Sequence, residues 1–206
     1  IGYWVYEKTG SSALMGIMSS ISMFMTMLVM PFSGSIIDKC SRKLIIVGMD
    51  TLRGVIMLAL GVLAFADSLS VPVVLAAAFL ASACSVFFSP AVNTLMLDII
   101  PHDDMVRGQS VFSGVNSFIN LVGKAISGAL VAFLGVPLIV LLNGVSYLVS
   151  AFTELFITVP KTVHQGEKIT LGGIFADFRV AVREIFRNRY LKLFIPCALI
   201  LNLLSA

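Results

Sequence analysis

An all-α integral membrane bundle is the fold class this sequence predicts, and three observations predict it. Of the 206 residues, 58% are hydrophobic and only 12% are charged, where a water-soluble domain carries roughly 25% charged residues. The apolar residues are gathered into runs of about 20 or more, the length a helix needs to cross hydrocarbon. Those runs lack the period-two alternation of a membrane β-strand. Lipid offers no partners to backbone N–H and C=O groups, so the runs must satisfy them internally as helices.

Composition excludes other classes. The net charge of +3 is concentrated in a few connections and does not argue for nucleic acid. Cys40, Cys84 and Cys197 are far apart, and His102 and His164 fall in polar connections. No disulfide, metal or other cofactor is therefore expected. A nucleophile–base pair is not evident, so enzymatic activity is not expected. The sequence has no phosphate-cradling Gly-x-x-x-x-Gly-Lys-Ser/Thr loop, so ATP is not expected to supply energy within this chain. No signal peptide is evident. The chain begins at Ile1 and stops inside an apolar run at Ala206, and is expected to be a piece of a longer protein.

In order, residues 1–6 read as the tail of a spanning helix, with Tyr3, Trp4 and Tyr6 as interfacial anchors. After a turn at 7–12, the first complete span covers about 13–32, with Pro31 placed to kink or end it. Gly34 to Lys43 follows, with Asp38, Lys39, Arg42 and Lys43 crowded into six residues. Such a segment cannot lie in hydrocarbon and is expected to be a tight loop at the membrane surface. Spans at 44–66 and 71–99 are joined by a turn at 67–70, and Pro90 predicts a bend in the second. A polar connection at 101–107 leads to spans at 109–134 and 138–159, joined by Gly135-Val-Pro137.

Pro160 closes the last complete span, and residues 160–190 form a polar linker. Within it Ile174, Phe178, Val182 and Ile185 recur at helical spacing, with Arg179, Arg183 and Arg187 on the other face. This is a basic amphipathic helix suited to a lipid headgroup layer. A second partial span starts at 191–206, with Pro196 inside it. The domain map is thus residues 1–159, a linker at 160–190, and the start of another span at 191–206.

Connections at 38–43, 101–107 and 160–192 hold three, one and seven bases, eleven of the fourteen Lys and Arg in the chain. The opposite connections hold only Lys8. By the positive-inside rule the 38–43 loop and the 160–190 linker are cytoplasmic, in a multi-pass protein of the cell's cytoplasmic membrane.

The pattern Gly34-x-x-x-Asp38-Lys39-x-x-Arg42-Lys43 resembles the loop between the second and third helices of major facilitator superfamily transporters. Ser41 stands where that loop commonly has Gly, which would ask Ser41 to accept a tight turn. Five complete spans, two partial ones and a basic linker resemble the end of the first through the start of the seventh facilitator helix. Val5 to Gly10, Phe88-Ser-Pro90 and Asp177 to Arg183 make the resemblance greatest to the macrolide-efflux and enterobactin-exporter type. The resemblance implies a facilitator-type helical bundle lacking its C-terminal half, which it needs for transport. It also implies that Asp98 joins Asp38 and Arg42 in a charge cluster that stabilises one access state.

Ionisable groups inside spans are costly and need partners. Asp50 and Arg53, three apart, can pair on one helix face. Glu154 is expected to reach water or a linker base at its helix end. The 109–134 span carries one polar stripe: Ser113, Asn116, Ser117, Asn120, Lys124 and Ser127. It must face other helices or a wet cavity. Lys124, Asn116 and Asn120 are therefore candidates for translocation or coupling, and Lys124 alternatively pairs with an acid elsewhere. Gly114, Gly123 and Gly128 accompany the stripe as candidates for close helix packing. Gly114 and Gly123 resemble part of the antiporter signature of the fifth facilitator helix. Lys124 stands where that signature has Pro, which counts against proton antiport.

The resemblance implies a secondary active exporter of amphipathic, drug- or macrolide-like small molecules, driven by protons through alternating access. Its partners would be the lipid bilayer, the substrate and a coupling proton. Two readings stay open: export of an anionic siderophore or lipid-like metabolite, and a non-transporting membrane sensor or scaffold of the same fold.

Overall fold

The computed structural model of the protein describes residues 2–159 and, beyond them, Gly173, Arg179, Val180, Arg183, Arg187, Asn188 and Phe194. Helix α1, Gly2–Thr9, stops at Gly10, whose φ of +63° and N–H bond to the Tyr6 carbonyl (2.7 Å) make a glycine C-terminal cap. Ser11 then opens α2, Ser12–Lys39, its side chain accepting from the Leu14 N–H at 3.4 Å. Helices α3, Arg42–Phe65, and α4, Val71–Ile99, follow. A short 3₁₀ turn, His102–Asp104, leads into α5, Met105–Glu154.

The four helices α2 to α5 are long and apolar enough to cross a membrane. α5 contains 50 residues and is broken at Gly135, where φ is 72° and ψ 159°. It is therefore two arms, each long enough to span. Only glycine takes this conformation without a Cβ penalty, and Pro137 sits in the first turn of the second arm, where its missing N–H costs nothing. The chain is thus a multi-pass, all-helical membrane protein with no strand among the described residues.

Three details differ from the sequence-based expectation. The polar loop at 38–43 is not a six-residue turn. Asp38 and Lys39 form the last turn of α2, Arg42 and Lys43 the first of α3, and only Cys40 and Ser41 lie between. Helix continues through the charged segment because each residue added to an existing helix closes one more backbone hydrogen bond. Ser41 has φ −65° and ψ 111°, ordinary extended backbone, so serine meets no strain where the family pattern has glycine. Nor does Pro31 end its helix: α2 runs eight residues beyond it to Lys39.

α3 is the hub. It packs against α4 and α5, while α2 packs against α4 and α1 against α2. Close approach of α3 and the second arm of α5 depends on three glycines. A Cβ on Gly54 would stand 2.6 Å from Leu148, one on Gly61 2.4 Å from Leu141, and one on Gly144 2.8 Å from the backbone nitrogen of Leu58. Between hydrocarbon-solvated helices, packing of this kind substitutes for the hydrophobic drive of water. Two apolar clusters result: Val5, Met57, Leu60, Val74, Ala77 and Val140 toward one end, and Ile37, Ile46, Ala91 and Leu95 toward the other. On α3, Asp50 and Arg53 fall in the interval between them.

The first arm of α5 is exposed on nearly every face. No described atom lies within 4 Å of a Cβ built on Gly114, Gly123 or Gly128, so the described helices give these glycines no packing partner. The methionine-rich face of α2 is also open, with Met23 77% and Met27 78% exposed. The linker's amphipathic helix and the final partial span lie outside the described residues, apart from the isolated positions above. Of these, Gly173 is helical and stands 3.5 Å from the Lys39 ammonium, measured from a Cβ built on it. This places Gly173 beside the α2–α3 turn.

Candidate functional site

At the α2–α3 turn the Arg42 guanidinium binds the Asp98 carboxylate through Nη1 and lies 3.5 Å from Asp38 Oδ1 through Nη2. Helical continuity produces this arrangement. Asp38 and Arg42 are four residues apart across a two-residue turn, and α4 delivers Asp98 at its cytoplasm-predicted end. The three partners are unequal: the Asp98 and Arg42 side chains are 14% and 19% exposed, whereas Asp38 is 67% exposed. The shielded Arg42–Asp98 pair carries most of the electrostatic coupling, because water screens Asp38. Lys43 donates to the Leu155 carbonyl at 2.6 Å, which ties the same turn to the end of α5. Two adjacent bases thus clamp α3 to α4 and α5. Gly34 has open space around it.

At the opposite end Lys8 lies 3.9 Å from Asp67, both well exposed. A cavity of about 530 Å³ there is lined by Trp4, Glu7, Lys8, Gly135 and Pro137 among others. Among the described residues, Arg42, Asp98, Lys43 and Leu155 thus meet at one end of the bundle and Lys8 and Asp67 at the other.

A second charged cluster lies deeper. Arg53 Nη1 donates to Asp50 Oδ1 at 3.2 Å, and both side chains are almost fully buried. The guanidinium also sits over the rings of Phe88 (4.7 Å) and Tyr147 (5.6 Å), a cation–π arrangement strengthened by the loss of water. The pairing of Asp50 and Arg53 agrees with the sequence; the surroundings of Glu154 do not. Glu154 is turned away from solvent among the described residues. It is 9% exposed, takes a bond from Ser150 at 3.2 Å and faces Asp50. α5 turns it inward, because the glycine contacts bring the second arm close against α3. Spacing in the sequence carries no signal for a contact between residues about a hundred positions apart.

The stripe of α5 is intact but solitary among the described helices. Asn116 donates to the Phe112 carbonyl and Asn120 to that of Asn116, each at 2.9 Å, and Ser127 donates to the Lys124 carbonyl at 3.0 Å. These are bonds within the helix, and the face is left exposed. No hydrogen bond or ion pair joins Lys124, Asn116 or Asn120 to the turn cluster among the described residues.

A bundle of long apolar helices, with a charged turn between its second and third members clamped to the fourth, matches the Major Facilitator Superfamily, whose family model covers residues 1–206. The chain belongs to that superfamily. Among its relatives, it is 31% identical over 165 residues to the putative bacilysin exporter BacE of Bacillus subtilis (strain 168), covering 80% of this chain and 40% of that protein. It is 22% identical to macrolide efflux protein A of Streptococcus pyogenes, over 77% of this chain and 39% of the relative. It is 24% identical to the uncharacterized MFS-type transporter YkuC of Bacillus subtilis (strain 168), over 81% and 40% respectively. The chain thus spans about two-fifths of the length of the curated relatives it matches.

Proposed function

We propose that this chain is the N-terminal half, linker and start of the C-terminal half of a secondary active exporter of amphipathic small molecules. The observation that carries the reading is Arg42 bridging Asp98 on α4 and Asp38 on α2. A charge-assisted contact across three helices gains or loses its full strength with small helix displacements. It is therefore suited to holding one of two access states. Rocking of the two halves about a central site would break it in one state and remake it in the other. The relatives named for bacilysin and macrolide export support a small-molecule cargo, and a proton gradient is the energy source this reading adopts.

The test is export in sealed vesicles by the full-length protein. Asp98→Asn and Arg42→Ala should insert normally and lower transport together. Undiminished transport by both variants would reduce the turn to an orientation signal. Absence of substrate-dependent export by the unmodified protein, across amphipathic compounds, would favour a sensor or scaffold.

One observation favours an anionic cargo: Lys124 stands on an exposed polar stripe with Asn116 and Asn120. An ammonium within a span must meet water, an acid or a ligand. Lys124→Met that loses export of anionic compounds but keeps that of neutral ones would support this reading. Unchanged export of both classes would remove Lys124 from the pathway.

A further inference from the structure

We propose that Asp50 and Glu154 form a proton-binding site, two carboxyl groups sharing one proton beside the Arg53 guanidinium. This inference does not depend on the transport reading, since it concerns charge balance inside a buried cluster.

The cluster holds two acids and one base. Asp50 is 2%, Arg53 6% and Glu154 9% exposed. α3 supplies Asp50 and Arg53, and α5 supplies Tyr147, Ser150 and Glu154. From α4 come the Phe88 ring and the buried thiol of Cys84. No ionisable group of α2 bears on Asp50 or Glu154 among the described residues. Lys43 forms no ion pair with either acid, and its ammonium donates to the Leu155 carbonyl.

One guanidinium cannot balance two carboxylates. A net buried negative charge is expensive where water is excluded, and the group takes up a proton instead. Two acids in contact cannot readily both ionise. The hydrogen bonds point the same way. Asp50 Oδ1 is occupied by Arg53, and Glu154 Oε1 by Ser150. Glu154 Oε2 is buried with no partner, while the carboxyl groups of Asp50 and Glu154 face each other. Glu154 Oε2, an acceptor turned toward a second acceptor, lacks a donor, and one proton supplies it. The step is a simple addition: a proton from water bonds to one carboxylate oxygen and is shared with the other acid.

The site can also exchange its proton. Glu154 is the last residue of α5, one position before the Leu155 carbonyl held by Lys43. Proton loss would leave two like charges between α3 and the second arm of α5, next to the clamp at the α2–α3 turn.

The test is infrared spectroscopy of the full-length protein, reading the carbonyl stretch of protonated carboxyl groups, with H₂O exchanged for D₂O to identify it. At neutral pH the unmodified protein should show one carboxylic-acid equivalent that disappears in Glu154→Gln and again in Asp50→Asn. Either change leaves one acid opposite one base. It should also titrate as a single equivalent when pH is raised on the unmodified protein, a measurement that needs no variant to fold. No protonated carboxyl at neutral pH, or a band that survives in both variants, would overturn the proposal.

Discussion

Arg42 and Asp38 illustrate how burial ranks two contacts that look equivalent in a motif. The Arg42–Asp98 pair is shielded, and breaking it leaves a carboxylate with little water. Arg42→Ala should therefore cost on the order of 2 kcal/mol, between the exposed and buried limits for ion pairs. Asp38 is 67% exposed, and Asp38→Asn should cost within about 0.5 kcal/mol. Thermal unfolding of the purified full-length protein in detergent should rank Arg42→Ala and Asp98→Asn together, well below Asp38→Asn. Equal loss in all three would mean that Asp38 is as desolvated as Asp98. Arg42→Lys should recover only part of the loss, because an ammonium lacks the planar fork that reaches two acids at once.

At the scale of elements, the α3–α5 interface is set by glycine. Gly144 is the most demanding position, because the atom facing its absent Cβ is the Leu58 backbone nitrogen at 2.8 Å. Backbone cannot rotate away, so Gly144→Ala must push the helices apart, at about 1–3 kcal/mol for an overpacked site. Gly54→Ala and Gly61→Ala meet leucine side chains first, which have other rotamers available, with backbone atoms farther off at 3.2 and 3.1 Å. Gly144→Ala should lower the melting temperature more than either, whereas Gly114→Ala in the exposed first arm should leave the described helices undisturbed. A Gly114→Ala variant as unstable as Gly144→Ala would show that the first arm packs as closely as the second does. The separation of Asp50 from Glu154 rides on the same interface, so Gly144→Ala should also weaken the carboxyl signal assigned to that pair.

For the whole molecule the decisive property is sidedness. Arg42, Asp98, Lys43 and Leu155 meet at one end, and Lys8 and Asp67 at the other. If the eleven clustered bases set orientation, that first end faces the cytoplasm. Cys40, half-exposed in the two-residue turn, then reports on it. With the other cysteines replaced, Cys40 should resist membrane-impermeant thiol reagents added outside intact cells and react in inside-out vesicles. Labelling from outside would invert the orientation. The open first arm of α5 and the bare methionine face of α2 are surfaces that lipid or further helices of a longer protein would cover.

Fold class, the order of the spans and the charged turn were legible in the sequence, because hydrocarbon imposes length and helicity on each segment separately. Asp50 and Arg53 were legible as a pair for a similar reason: three residues of one helix fix their geometry. Asp98 was reached only through the family resemblance, and nothing along the chain pointed to Glu154 as the neighbour of Asp50. The glycines that pack α3 on α5 were passed over in favour of Gly114, Gly123 and Gly128, since a glycine in an apolar run looks the same whether or not a helix lies against it. Which helix lies against which is a property of the assembled bundle. Local chemistry along the chain determined what each segment is, and contact between distant segments decided which charges are buried and which are paired.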